Sequence, residues 1–183
     1  MSNNQQAQAK IEQTFLELLE KKPISEITIK EITAKSGFNR NTFYYHYKNI
    51  PDVLESIIRK MVDEILTSHP SEYYSLEDCF LAAIRIAREN KKIINNIYHS
   101  SSRAIFERHL WHICEYSIAS FISSFPEYII NHTPEEVVVI RDLFKFECFG
   151  FAIDWINRGM PDDVAEKIKI LTFRANSLVV GKA

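Results

Sequence analysis

The sequence predicts an all-α fold on three observations. Apolar residues recur at three- and four-residue steps along most of the chain, the spacing of helices with one buried face. Helix-opening patterns of the S/T-x-x-D/E kind appear at Thr28, Ser75 and Thr133. Glycine and proline are scarce, four and six among 183 residues, too few turn formers for a many-stranded sandwich or barrel. A hydrophobic share of 46% with 25% charged residues belongs to a chain that can build a core, not to a disordered one.

Taken in order, Ala7, Ile11, Phe15, Leu18 and Leu19 line one face of a first helix that ends near Lys21-Lys22-Pro23. Thr28-Ile29-Lys30-Glu31 then reads as a capping box, in which Thr28 takes the amide of Glu31 and Glu31 reaches back. The helix it opens is short, because Gly37 falls where a left-handed residue ends a helix. Asn39 offers a second cap, and Arg40 to Tyr47 adds about two turns. Pro51 and Asp52 open a fourth helix with Val53, Leu54, Ile57, Ile58, Met61 and Ile65 on its apolar face.

Composition shifts at Ser68-His69-Pro70-Ser71, dividing the chain into residues 1–68 and 69–183. Beyond the junction, Ser75 starts a helix running toward Asn95-Asn96, and a long pattern from about Ser102 to Ser124 closes at Phe125-Pro126. Thr133-Pro134-Glu135-Glu136 opens a helix that stops at Gly159, with Pro161 beyond. Asp162-Asp163 begins the last, which runs to about Val180.

Several function classes are excluded or disfavoured. Net charge is −2, so any attraction to nucleic acid must be local. Cys79, Cys114 and Cys148 lie far apart with no CxxC pair, as free thiols of a reducing compartment do. The polar start Met1-Ser2-Asn3-Asn4-Gln5-Gln6 lacks a signal peptide's pattern, and no apolar run nears the ~20 residues that span a bilayer. A cytoplasmic location without membrane contact is expected. No G-x-S-x-G, H-E-x-x-H, dinucleotide fingerprint or P-loop appears, so no catalytic residues, cofactor or metal are expected. His109 and His112 stand three apart near Cys114, but a metal needs ligands from a second helix and none is evident.

Function concentrates between Ile29 and Tyr47. Two short helices joined through Gly37-Phe38-Asn39 have the spacing of a helix-turn-helix. Ile32, Phe38, Phe43 and Tyr47 are its apolar anchors. The outward face of the second helix then carries Arg40, Asn41, Thr42, Tyr44, Tyr45 and His46, side chains that read base edges and grip phosphates. From Lys30 to Lys48 the bases Lys30, Lys35, Arg40 and Lys48 face one acid, Glu31, the local excess that phosphate contact requires. Two exposed tyrosines are an unusual outlay for a merely solvated face.

The runs Ile27-Thr28-Ile29-Lys30-Glu31-Ile32 and Ser36-Gly37-Phe38-Asn39-Arg40-Asn41-Thr42-Phe43-Tyr44-Tyr45-His46-Tyr47-Lys48-Asn49 resemble the DNA-binding domain of TetR-type (TetR/AcrR) transcriptional regulators. The resemblance covers about residues 8–68. It implies a three-helix helix-turn-helix domain, a helical C-terminal ligand-binding and dimerisation domain, and a homodimer on a palindromic double-stranded operator. Base reading would fall on Lys30, Arg40, Asn41, Thr42 and Tyr44, with Asn39 at the head of the helix, and phosphate or groove contact on Tyr45, His46 and Lys48. Two departures stand out. Ile50 occupies the place of a common phosphate-gripping lysine, and Thr33 and Ser36 stand where alanine is frequent.

In the C-terminal half, apolar residues surround the Pro134–Arg158 helix, so it must be covered on more than one side. Val164, Ile168, Leu171, Ala175 and Leu178 form a seam on the last helix. Together with Val139 and Leu143 they are expected to pair with a mate as a four-helix bundle. An effector pocket is placed among Phe106, Leu110, Tyr116, Phe121, Phe144, Glu147, Phe151 and Trp155, with Glu147 and Asp154 as the wet edge of their helix. The expected activity is repression released by a small molecule. Two other readings stay open: an activator or co-regulator controlled by a protein partner, and a small helical ligand-binding protein without DNA binding.

Overall fold

The computed structural model describes residues 3–68, 76–123 and 126–179, and every long element among them is an α-helix. These are α1 (Asn3–Leu19), α2 (Ile29–Ser36), α3 (Arg40–His46), α4 (Ile50–Ser68), α5 (Leu76–Glu89), α6 (Lys91–Tyr98), α7 (Arg103–Ser123), α8 (Pro126–Asn131), α9 (Pro134–Asn157) and α10 (Val164–Val179). A 3₁₀ turn, Ile24–Glu26, links α1 to α2. The expected junction at His69-Pro70-Ser71 and the Ser75 cap lie outside the described residues, as do Phe125 and Val180.

Two compact units form. One takes the described residues up to Glu64 together with Asn90–His109; the other takes Ile65–Glu89 and the chain from Leu110 onward. In the first unit, α1 packs on α2, α3 and α6. Ile11, Phe15, Leu19, Ile32, Phe43 and Val53 are fully enclosed there. Each such side chain stabilises by about 1.5–3 kcal/mol relative to exposure, so the short α2 and α3 hold through packing more than through intrinsic helicity. In the second unit, α5 lies along α10. Ile118, Ile122, Phe144 and Ala175 form the centre, with Phe80, Phe121, Val137, Ile140 and Cys148 around it.

Two boundaries add to those read in the sequence. The helix expected from Ser75 to Asn96 is two helices, broken at Asn90, whose φ of −104° and ψ of 19° leave the α-helical range. The break parts α5 in one unit from α6, whose Ile93 and Ile97 belong to the core of the other. The long helix does end at Ser123, just before Phe125-Pro126, and Pro126 is also the first residue of a further helix, α8, where a missing N–H costs nothing. The stop at Gly159 is as expected. Gly159 (φ 77°) and Met160 (φ 56°) are left-handed, and their amides donate to Ile156 and Trp155 at 2.9 Å each.

Candidate nucleic-acid interface

Helices α2 and α3 are fixed by their ends. The Glu31 amide donates to Thr28 Oγ1 at 3.2 Å, and the Thr28 amide donates to Glu31 Oε2 at 3.0 Å, completing the capping box. Lys22 donates to Glu31 Oε1 at 2.7 Å. This hydrogen bond and those from Thr28 hold the Glu31 carboxyl down at about 2. Gly37 ends α2 with φ at 79°, its amide donating to Thr33 O at 3.2 Å. The hydroxyls of Thr33 and Ser36 are satisfied by the helix itself: Thr33 donates to Ile29 O at 2.9 Å, Ser36 to Thr33 O at 3.4 Å. Their departure from alanine is therefore accommodated locally.

Asn39 caps α3. Its Oδ1 accepts from the Thr42 amide at 2.9 Å and from the Thr42 hydroxyl at 3.2 Å. Both residues thus spend part of their hydrogen-bonding capacity on the helix start. Phe43 and Tyr47 are 0% and 3% exposed, whereas Tyr44 and Tyr45 are 56% and 72% exposed. Two buried rings four residues apart set the rotation of α3 and turn the residues between them outward. Lys30, Asn39, Arg40, Asn41 and Lys48 are exposed as well. The Tyr45 hydroxyl accepts from Asn4 Nδ2 at 3.4 Å.

His46 departs from its expected place. It is only half exposed, and its Nε2 is enclosed without a hydrogen-bond partner, edge-on to Tyr45. As the helix stands, that nitrogen does not face a phosphate. Ile50, in the place of the common lysine, packs on the core around Phe43 and Val53, so that grip is replaced by apolar contact. Pro51 lies in the first turn of α4, as expected, and Asn49 caps it: its Oδ1 accepts from the Asp52 amide at 2.9 Å, and Asp52 Oδ2 accepts from the Lys48 amide at 2.9 Å. The N-x-x-D spacing at Asn49 was the signal for this cap.

The residues expected to line a pocket do not form one site. Phe144 and Glu147 border a hollow with Phe80, Ile118, Cys148, Leu171 and Ala175, of about 230 Å³ including open solvent. Phe121 packs on the same cluster. Trp155 is buried, its Nε1 donating to Pro161 O at 3.0 Å, and so serves the α9 terminus. Phe106 belongs to the core of the first unit, where it meets Tyr98 edge-on. Leu110 and Phe151 are half-buried, and Tyr116 is exposed. Glu147 and Asp154 are both exposed, the wet edge expected, with Asp154 accepting from Arg158 at 2.8 Å.

The seam on α10 is corrected. Val164, Ile168 and Ala175 are buried within the chain, and Leu171 borders the hollow, because this face packs on α5 and the second core. The side chain of Leu178 lies outside those described. On these two helices the exposed large apolar residues are Ile170 and Phe173 on α10 and Val138, Val139, Leu143 and Phe146 on α9.

His109 and His112 point to carboxylates, His109 Nε2 to Glu55 at 2.9 Å and His112 Nδ1 to Glu115 at 3.7 Å. No group of metal ligands forms among the described residues. Cys114 is buried and Cys148 half-buried, and neither forms a disulfide among the described residues; the Cys79 side chain lies outside those described. Composition did not single out Lys145, a buried cation that donates to Asp142 at 2.8 Å and lies 4.8 Å over the Trp111 ring.

Comparison with known proteins follows the same lines. The TetR-type family described as "Transcriptional regulator C-terminal region" matches residues 74–176. An uncharacterized HTH-type transcriptional regulator of Bacillus subtilis, YxbF, is 36% identical over 93 residues, 46% of this chain and 24% of its own. The chain therefore spans about a quarter of the length of that relative. Among solved structures, the dihydroxyacetone kinase operon activator DhaS superposes with a TM-score of 0.76 at 18% identity, over 95% of this chain and 96% of its own. A TetR-family regulator from Syntrophomonas wolfei superposes with a TM-score of 0.59 at 19% identity, over 99% and 98%. At these identities the two structures establish a shared fold.

Proposed function

The chain belongs to the TetR family of transcriptional regulators, a family of regulators rather than enzymes, and from that premise we propose that it represses transcription as a homodimer on a palindromic operator. The observation that carries this reading is the split of α3 into two faces. Phe43 and Tyr47 are locked inward, while Arg40, Asn41, Tyr44 and Tyr45 stand free to enter a major groove. Lys30 would join them in base reading, and Lys48 would serve as a phosphate contact.

The mate would cover the apolar residues that α9 and α10 leave exposed, Val139, Leu143, Phe146, Ile170 and Phe173. Two α3 helices would then reach half-sites about one DNA turn apart, ~34–36 Å. An effector that tilts α4 changes their separation and weakens binding, a coupling of about 1–3 kcal/mol.

A second reading, an activator governed by a protein partner, draws support from the hollow beside Phe144. That hollow is shallow and partly open to solvent, so a small-molecule effector must first part the helices that line it.

Selecting bound fragments from the source genome tests the DNA-binding reading. The expected result is a palindromic site whose gel shift is lost on Arg40→Ala with Tyr44→Ala, since each lost base contact costs about 1–3 kcal/mol. Binding that survives both substitutions overturns it.

A further inference from the structure

Beneath α3 lies a buried carboxylate that the base-reading face does not use. Glu12, on α1, is 9% exposed and accepts four hydrogen bonds from two other elements. The Tyr47 hydroxyl donates to its Oε1 at 2.5 Å and the Ser56 hydroxyl to the same oxygen at 3.0 Å. Lys60 donates to Oε1 at 2.7 Å and to Oε2 at 2.8 Å. Tyr47 is the C-cap of α3, and Ser56 and Lys60 belong to α4. One side chain therefore ties together α1, the end of α3 and the middle of α4.

The chemistry of this knot differs from that of its surroundings. Phe15, Ile32 and Phe43 enclose the rest of α3 through contacts that have no preferred direction. The buried rings of Phe43 and Tyr47 set which face α3 turns inward, and what remains for a polar contact is to narrow the angle within that packing. A hydrogen bond from a phenol at the helix end is directional, and here it is short. Burying the carboxylate of an ion pair, here with its Lys60 partner half exposed, is not the cheapest way to stabilise a domain, since apolar residues of equal volume often do as well or better. What it adds is orientation. Burial raises the Glu12 carboxyl, but hydrogen bonds from Lys60 and Tyr47 outweigh it and bring it below its ordinary range, so the acceptor stays ionised.

We propose that Glu12 is a positioning residue for DNA reading, fixing the rotation of α3 through the Tyr47 hydroxyl and keyed to α4 through Ser56 and Lys60. The proposal rests on the DNA-binding reading of α3. Glu12 touches no base; it sets the angle at which Arg40, Asn41 and Tyr44 are presented. Those side chains lie three to seven residues before Tyr47, so a small rotation at the cap displaces all of them together. Sequence-specific binding then suffers more than phosphate binding, because base edges demand geometry whereas counterion release demands mainly charge.

The test uses the full-length chain and two duplexes: one selected from random DNA by the wild-type protein, and one of scrambled sequence. Tyr47→Phe removes the phenolic oxygen, and Glu12→Leu replaces the carboxylate with an apolar group of similar size. Each is expected to lower the ratio of selected to scrambled affinity about tenfold, the size of one lost base contact. The slope of affinity against salt and the melting temperature should stay near the wild type. The double variant should fall no further than the worse single one, because both act through one bond. An unchanged ratio in Tyr47→Phe, or a fall explained wholly by a smaller folded fraction, overturns the proposal. Should Glu12→Leu fail to fold, Tyr47→Phe decides alone. If the wild type selects no sequence, the DNA-binding reading fails first and this inference falls with it, an outcome distinct from variants that discriminate as well as a discriminating wild type.

Discussion

The two units expose different kinds of apolar surface. Around α3 the large exposed side chains are Tyr44 and Tyr45, rings that end in a hydroxyl. Along α9 and α10 they are Val139, Leu143, Phe146, Ile170 and Phe173, which carry no polar atom. Tyrosine suits a wet, charged partner, because its ring stacks while its hydroxyl keeps a hydrogen bond. Bare aliphatic and phenyl groups suit a dry partner of the same chemistry. The kind of exposed residue thus differs between the face we propose for DNA and the face we propose for a mate.

The sharpest break of this comparison lies on α10, where Ile168 and Phe173 face opposite ways. Ile168 is 1% exposed and Phe173 is 72% exposed. Ile168→Ala should cost about 2–5 kcal/mol, the range for emptying a buried aliphatic site. Phe173→Ser should shift the dilute chain by less than about 0.5 kcal/mol while moving it toward monomer. Urea unfolding at low concentration and sedimentation velocity check the two. If Phe173→Ser unfolds the chain as readily as Ile168→Ala, the outer face of α10 is core and the comparison fails.

Next in size is the loss of one phosphate contact. Lys48 is exposed and adjoins Ile50, which has taken the place of a lysine and packs inward. On the DNA-binding reading proposed above, the contact at the start of α4 is either lost or passes to Lys48. Lys48→Ala should lower the salt slope by about one unit and weaken selected and scrambled DNA alike. A fall confined to the selected duplex would make Lys48 a base reader.

How far these surfaces were legible depends on how local their causes are. Capping at Thr28, Asn39 and Thr133, the left-handed turn at Gly37 and the stop at Gly159 depend on a few adjacent residues, and they were readable. So was the outward face of α3, because Phe43 and Tyr47 are anchors four apart. The α10 seam was misread because a stripe at helical spacing states that a face is buried without stating by what. Here α5 and the second core cover it. Glu12 was invisible for the same reason: a charge beside Ile11 looks solvated until Tyr47, Ser56 and Lys60 arrive from far along the chain. The enclosed Nε2 of His46 likewise depends on packing, since in sequence it stands between the outward Tyr45 and the inward Tyr47 and nothing there says which it follows.

The smallest expected effect compares two capping boxes of one design. In the first unit Glu31 receives Thr28 and also Lys22; in the second, Glu136 receives the Thr133 amide at 2.8 Å without a lysine. Both carboxyls are lowered, Glu31 from 4.5 to about 2, chiefly by Lys22, and Glu136 chiefly by the Thr133 amide. A carboxyl that is lowered on folding contributes stability above its unfolded value and loses it as pH falls through the folded one. Glu31→Gln should therefore lower the melting temperature of the chain near neutral pH, and the gap to wild type should close as pH drops from 4.5 toward about 2. The gap should also narrow in high salt, because the Lys22 pair is partly exposed and screened. Glu136→Gln should show a gap that closes with acid but responds less to salt, since a backbone amide rather than a cation holds that carboxyl. Equal salt responses in the two variants would mean that Lys22 adds nothing to the first box beyond what Thr28 already provides.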